Sequence, residues 1–330
     1  MVFPLDAKTV FSLARKKIRM AYINSGKMPL TLFTTPKPFI GHIGTIQRNA
    51  IYSWTLLEPR PEIIIFGDES GSAEVASEFG FRHVPDIARN EFGTPFLDDI
   101  FKKAHDMASN NMLCYINADI ILMSDFMHAV VMVAGRFPKF LMVGQRWNLD
   151  IKEPLRFNRQ WEDDLRMLIK QNGVLYTIDG IDYFVFLRGL FNKIPPFLVG
   201  RVAWDNWLLY YARAQGASLV DTTQVVTIVH QNHNYAHVKD FVGNGWSSPE
   251  FKINFNIAKN RLFSLLDANW LLSSKGFVRP TSLDHRKRAR EAWFLLHFPI
   301  LCSLMFALQP LIIKGGILLR SLGLLKKRNS

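Results

Sequence analysis

Through the first third of the chain, short apolar runs alternate with longer stretches whose apolar residues recur at helical spacing. Residues 30–35, 62–66, 81–84 and 112–116 are brief, rich in β-branched or aromatic side chains and bounded by turn-forming or polar residues, so they read as strands. Residues 45–57, 73–79 and 95–108 read as helices, the first carrying Gln47, Arg48 and Asn49 near its start. Strand and helix in alternation predict a parallel sheet covered on both faces, with any ligand outside the carboxyl ends of the strands. From about Lys139 the pattern loosens into strands over 140–143, 175–187 and 218–230 and a helix over 202–214. The expected fold class is therefore α/β: a mixed, mainly parallel central sheet with helices on both faces and long connections in its second half.

The ends of the chain differ from this body. Residues 6–22 place Val10, Phe11, Leu13, Ala14, Ile18 and Ala21 between basic residues, the pattern of an amphipathic helix that either lies on a membrane surface or docks on the domain. Residues 292–313 hold no Asp, Glu, Lys or Arg and follow the basic run His285, Arg286, Lys287, Arg288 and Arg290. As a helix this stretch could just cross a bilayer at ~33 Å, but Pro299, Pro310, His297 and Gln309 interrupt it, and in-plane anchoring is the preferred reading.

Composition narrows the class. With 48% hydrophobic and 21% charged residues the chain is globular rather than disordered or wholly embedded in lipid. The net charge of +12 raises the question of nucleic acid, yet no zinc-finger, RNP or basic-zipper pattern is present, and the basic residues cluster beside apolar ones near both ends. A membrane surface is the expected partner and nucleic acid is not. The apolar tail also admits contacts between copies of the chain. Two distant cysteines, Cys114 and Cys302, make no disulfide framework, and nothing at the N-terminus resembles a cleavable signal, so the expected location is the cytoplasmic side of a membrane, peripheral or monotopic.

The most informative segment is the strand 112–116 running into Asn117-Ala118-Asp119, where an apolar run meets a polar residue, a small one and a carboxylate. Mg2+ or Mn2+ takes oxygen ligands, and a carboxylate at a sheet edge can hold such an ion while phosphate oxygens and water complete its shell. The alternative is a carboxylate that caps a turn. Here the chain resembles the GT-A fold, family-2-like glycosyltransferases that use nucleotide sugars, whose signature is Asp-x-Asp at the end of such a strand. The resemblance makes Asp119 the main metal ligand and Asn117 a neutral carbonyl contact to the metal-diphosphate site.

Further parts of that family's pattern follow in order. Asp179, Gly180 and Asp182 resemble the acceptor loop that holds donor-sugar or acceptor hydroxyls, with a turn between strands as the plain alternative. Asp205, in Ala203-Trp204-Asp205-Asn206-Trp207, takes the place of the general base of inverting members, with helix capping as its alternative and Trp204 as a stacking platform for a sugar face. Among His230, His233 and His237, either of the first two would be the late metal ligand, with His237 nearer phosphates or acceptor. The resemblance also nominates Thr34, Thr35 and Pro36 after the first strand and Asp68 after the second for the nucleotide, and Arg48 for phosphate or base. It implies a UDP- or GDP-sugar donor, Mn2+ or Mg2+, and a glycan or lipid-linked acceptor. Residues 28–280 would form the transferase domain, split into a nucleotide-binding half (28–138) and an acceptor half (139–280), between an N-terminal helix (1–27) and a membrane-associating tail (281–330). A sugar-phosphate nucleotidyltransferase and a non-catalytic membrane-surface protein of the same fold are the competing readings. A dinucleotide oxidoreductase lacks its glycine fingerprint here.

Overall fold

The computed structural model describes residues 30–233, 249–300 and 302. The expected N-terminal amphipathic helix, His237 and nearly all of the tail beyond Ile300 lie outside the described residues. In chain order the strands are β1 (Leu30–Thr34), β2 (Glu62–Phe66), β3 (Arg82–Val84), β4 (Met112–Ile116), β5 (Ile120–Leu122), β6 (Phe140–Val143), β7 (Trp147–Leu149), β8 (Val174–Leu175), β9 (Tyr183–Leu187), β10 (Ser218–Asp221), β11 (Ile228–Gln231), β12 (Trp270–Ser273) and β13 (Gly276–Val278). The helices are α1 (Gly41–Thr55), α2 (Ser72–Phe79), α3 (Leu97–Met107), α4 (Ser124–Arg136), α5 (Trp161–Asn172), α6 (Trp204–Ala214), α7 (Pro249–Ala258) and α8 (Leu283–His297).

Nine strands form the main sheet in the order β13-β12-β10-β6-β9-β4-β1-β2-β3. β4, β1, β2 and β3 are mutually parallel; β9 enters antiparallel to both β4 and β6, and β10 and β12 continue parallel to β6. The sheet is thus mixed and mainly parallel, as its sequence pattern predicts. Strand residues alternate between two cores: Met112, Cys114 and Ile116 of β4 face α1 and α4, whereas Leu113 and Tyr115 face α3 and α6. Because both faces are covered, the strands carry no polar side and read as continuous apolar runs. The α3/α6 face is unusually aromatic, with Phe33 meeting Phe66, Phe101, Tyr115 and Phe186 edge-on.

A second sheet, β5-β11-β7-β8, stands beside the first. It corrects two expected strands. Residues 175–187 are β8 and β9, in different sheets, joined by the loop 176–182; residues 218–230 are β10 and β11, again in different sheets. In each case a continuous apolar pattern conceals a crossover, because both halves are buried and periodicity reports burial rather than partner. Four of the links between the sheets, at 117–119, 144–146, 176–182 and 222–227, lie together and bond to one another. Arg146 O accepts from Tyr176 N–H at 2.9 Å, and Thr223 Oγ accepts from Gln145 N–H at 2.9 Å.

Helix α1 fixes the two sheets at their junction. Among the described residues the outer edge of β5 has no strand partner; there Trp54 Nε1 donates to Ile120 O at 2.9 Å and Ser53 Oγ accepts from Leu122 N–H at 3.0 Å. Buried Gln231 on β11 donates to Ile46 O at 2.7 Å and to Asp119 O at 3.1 Å, and accepts from Asn49 Nδ2 at 2.9 Å. Arg48, by contrast, points outward to Glu78 of α2 in an exposed ion pair.

Helix α8 is docked on the domain rather than standing clear of it. Ala292 is buried, and Arg288 Nε lies 2.9 and 3.0 Å from the two oxygens of buried Asp267, so this arginine belongs to the fold and not to a free basic patch. Among the described residues no helix is long and apolar enough to cross a membrane.

Gln231→Leu would remove one hydrogen-bond partner each from Asn49 Nδ2, Ile46 O and Asp119 O, and a buried polar group left unsatisfied costs ~1–3 kcal/mol. Its expected destabilisation in urea unfolding is about 3 kcal/mol, against at most about 1 kcal/mol for Arg48→Ala, which breaks only an exposed pair.

Candidate metal and anion site

The turn that carries the chain from β4 to β5 is closed by Ile120 N–H donating to Asn117 O at 3.2 Å, and it leaves Asp119 at the junction of the two sheets. The β11/β5 register sets His230 opposite Ile120, beside Asp119, and His233 follows two residues after β11 ends. His233 Nε2 lies 3.0 Å and His230 Nε2 3.7 Å from the same oxygen, Asp119 Oδ2. One donor atom from each of these residues falls within 4.8 Å of the others. Asp119 Oδ1 and His230 Nδ1 are buried without a hydrogen-bond partner. Burial pushes the Asp119 carboxyl up, but the His233 hydrogen bond and the charges of His230, Lys37 and His233 outweigh it and hold the group well below the usual carboxylate range. Burial lowers the His230 pKa, which favours the neutral imidazole that binds metals, while Asp119 pulls the other way. A compact O,N,N donor set with orphaned buried atoms fits Mn2+ or a similar divalent ion. These are the three residues expected as metal ligands from sequence.

Lys37 was not anticipated. It sits in the loop after β1, half-buried; burial lowers its pKa and the charge of Asp119 raises it. That loop is built tightly. Lys37 N–H donates to Gln47 Oε1 at 2.7 Å and Gln47 Nε2 returns a bond to Lys37 O at 2.8 Å. Phe39 N–H donates to Ser70 O at 2.8 Å, and a Cβ on Gly44 or Gly71 would come within 2.7 Å of Phe39. The signal legible in sequence was the pair of polar residues in α1, but their role was not.

A second cluster lies across the β4–β9 pairing, where Asp182 comes opposite Asn117. Asn117 N–H donates to Asp182 O at 3.0 Å and Asn117 Nδ2 to Asp182 Oδ1 at 2.8 Å. Arg146 NH1 approaches the same Oδ1 at 2.7 Å while its guanidinium lies 4.2 Å from the centre of the Tyr176 ring. Asn117 therefore spends its amide on Asp182, and Asp182 is ion-paired. Asp205 stands in the first turn of α6, behind an N-cap that is Ala203, so it is not the capping residue. Its Oδ1 is buried without a partner, and burial together with the charge of Asp182 pushes its pKa up to about 7 despite backbone hydrogen bonds and Arg146.

Other expected residues fall as follows. Thr34 and Thr35 each have a buried, unpartnered hydroxyl at the end of β1, and Pro36 is buried next to them. Asp68 is exposed and paired with Arg89 at 2.7 Å. Three assignments are corrected. Trp204 is a core residue, packed on Tyr115 and Phe184, and offers no face to a sugar. Gly180 is small because the Tyr176 ring would stand 2.3 Å from its Cβ, so the space belongs to that ring rather than to a ligand. Arg48 is held by Glu78. Asp179 contributes its carbonyl, which accepts from Asn206 Nδ2 at 3.2 Å and ties the loop to α6.

No protein-family profile and no curated protein matches this chain. Solved structures do show similarity. Glucosyl-3-phosphoglycerate synthase from Mycobacterium tuberculosis, with Mn2+, UDP and phosphoglyceric acid, aligns at 15% identity over 67% of this chain and 77% of that one, with a TM-score of 0.41. TarS 1-349 of S. aureus with UDP-GlcNAc aligns at 10% identity over 73% and 68%, TM-score 0.45. The mannosyltransferase PcManGT from Pyrobaculum calidifontis, with GDP-Man and Mn2+, aligns at 12% identity over 91% and 94%, TM-score 0.39. These are distant likenesses, and the site's chemistry is read from its own residues.

Asp119→Asn, His230→Gln and His233→Gln should each weaken Mn2+ binding, measured by electron paramagnetic resonance, by more than about tenfold. Asn117→Ala, whose amide is bonded to Asp182 and not to the donor set, should weaken it less than any of these three.

Proposed function

We propose that the protein is a metal-dependent, inverting glycosyltransferase that moves a sugar from a UDP- or GDP-sugar to an acceptor hydroxyl. The observation that carries this reading is the convergence of Asp119, His230 and His233 from two separate segments onto one carboxylate oxygen, at the strand ends where this fold class binds ligands. A divalent ion held there supplies positive charge to the departing diphosphate.

The chain's own groups divide the remaining work. Thr34, Thr35 and Pro36 end β1, and the two orphaned hydroxyls offer hydrogen bonds to the nucleoside, with Asp68 at the end of β2. Asn117 and Arg146 hold the Asp182 carboxylate in place. Asp205, neutral below about pH 7, accepts the acceptor's hydroxyl proton above it. The freed oxygen attacks the anomeric carbon on the face opposite the diphosphate, which leaves with the electron pair of the broken C–O bond. A non-catalytic role is the second reading, and it would leave the orphaned Asp205 carboxylate without use.

A membrane-proximal acceptor is part of the proposal, on the cytoplasmic side. Along α8 and just beyond it, Trp293, Phe294, Phe298 and Ile300 are exposed, as are Arg286, Lys287 and Arg290, the combination suited to anionic headgroups. The triple variant Arg286→Gln, Lys287→Gln, Arg290→Gln is expected to lose binding to phosphatidylserine vesicles in co-sedimentation, since each basic residue contributes ~1 kcal/mol. Unchanged sedimentation removes the charge-based anchor.

The reaction is tested with a panel of UDP- and GDP-sugars and Mn2+. Asp205→Asn should lower kcat by ~10^2–10^4, and the parent's kcat/KM should rise with pH and level off above about pH 7. The same raised pKa means that ionising Asp205 costs stability as pH climbs toward about 7, so Asp205→Asn should be no less stable there. A product of retained configuration would remove inversion.

A further inference from the structure

We propose that residues 262–267 form a strap through which helix α8 sets the acceptor side of the site, with Arg288 and Asn206 as positioning residues at its two ends. The inference rests on the glycosyltransferase reading for its chemistry, and it concerns residues to which that reading gives no task.

The strap lies between α7 and β12 and is gripped on one side by α8. Arg288 NH2 donates to Leu262 O at 2.9 Å, its Nε lies 2.9 and 3.0 Å from the two oxygens of Asp267, and its guanidinium stands 5.5 Å from the centre of the Phe263 ring. Asp267 is buried, so its charge needs that partner. The strap uses the same carboxylate for itself. Asp267 Oδ2 accepts from Ser264 N–H at 2.8 Å while Ser264 Oγ accepts from Leu266 N–H at 3.3 Å, a reciprocal cap on the 3-10 turn Leu265–Asp267. The turn therefore closes on the group that Arg288 holds.

On its other side the strap grips the acceptor elements. Asn206, next to Asp205 in the first turn of α6, accepts from Phe263 N–H through its carbonyl at 3.1 Å. Its Nδ2 returns one bond to Phe263 O at 2.9 Å and gives another to Asp179 O at 3.2 Å. Leu265 N–H donates to Ile178 O at 3.2 Å. Ile178 and Asp179 are the middle of the loop 176–182, whose ends are fixed elsewhere: Tyr176 by Arg146 O and the Gln145 amide, Asp182 by Asn117 and Arg146. The loop's ends thus answer to the sheet junction and its middle to the strap. A displacement of α8 that carries Asp267 with it reaches both Ile178 and the residue beside Asp205, because hydrogen bonds of this length tolerate little shift. Misplacement of a reacting group by about 1 Å can cost ~10^2 in rate, so a brace this far from the metal ligands bears on turnover.

The experiment compares the full-length parent, Arg288→Gln, Asn206→Ala and the double variant by hydrogen–deuterium exchange and by turnover of the UDP- or GDP-sugar that the parent uses with Mn2+. Arg288→Gln should speed exchange in 176–182 as well as in 262–267 by about fivefold or more, the effect of losing a hydrogen bond or two, and leave β4 and β9 as in the parent. Asn206→Ala leaves no buried charge behind and should loosen 176–182 in the same way. Since both act through one strap, the double variant should exceed the larger single effect only slightly. Each variant should lower kcat by up to ~10^2 and keep the parent's KM for the sugar nucleotide and its Mn2+ affinity, a split that a general loss of stability does not produce. Faster exchange confined to 262–267, faster exchange throughout the domain, effects that multiply in the double variant, or an unchanged kcat each overturns the proposal. If the parent turns over no sugar nucleotide, the glycosyltransferase reading falls, and the exchange pattern still decides whether the strap links α8 to the loop.

Discussion

The structure turns on the burial of one carboxylate, Asp119, where the chain leaves one sheet and enters another. An unpaired buried charge costs several kcal/mol, so a fold that keeps this group ionised has to surround it with partners. It does so from two elements. β11 and the residues just after it bring His230 and His233, the loop after β1 adds the charge of Lys37, and Gln231 of β11 takes the Asp119 backbone carbonyl. Helix α1 holds both elements, β11 through Gln231 bonded to Ile46 and Asn49, and the loop through the Lys37 backbone bonded to Gln47. The polar face of α1 is thus a frame for the site, and this explains why an otherwise apolar helix buries Gln47 and Asn49.

The same junction separates two further carboxylates by environment. Asp182 has Arg146 and the Asn117 amide on one oxygen, so its charge is matched. Asp205 faces the dry side, with one oxygen unpartnered and Asp182 nearby, and its proton is held until about pH 7. Arg146 forms its ion pair with Asp182, and among the described residues Asp205 has none.

Much of this was legible in sequence for a physical reason. Strands 62–66, 112–116 and 140–143 are short, buried on both faces and bracketed by breakers, so their limits match the structure residue for residue. Asp119, His230 and His233 stood out because polar groups at the end of an apolar strand need partners. The failures also share a cause. β8/β9 and β10/β11 merged in the reading because burial continues through their crossovers, and α5 escaped notice because it buries only Leu165 and Ile169. Trp204 and Gly180 were given to a ligand when their own neighbours, Tyr115 and Tyr176, fill the space. Lys37 was passed over since a lysine in a loop looks solvated until the loop's anchors are known.

Those anchors bear on the departure from Asp-x-Asp. Asn117 Nδ2 donates to Asp182 Oδ1 at 2.8 Å, in a place where a second carboxylate could only accept. An aspartate at 117 would face Asp182 as like charge, leaving Arg146 to neutralise both. The amide removes that conflict and keeps Arg146 in register with Asp182. The cost is one negative charge fewer beside Asp119, so that the group formed by Asp119, His230 and His233 carries a single carboxylate.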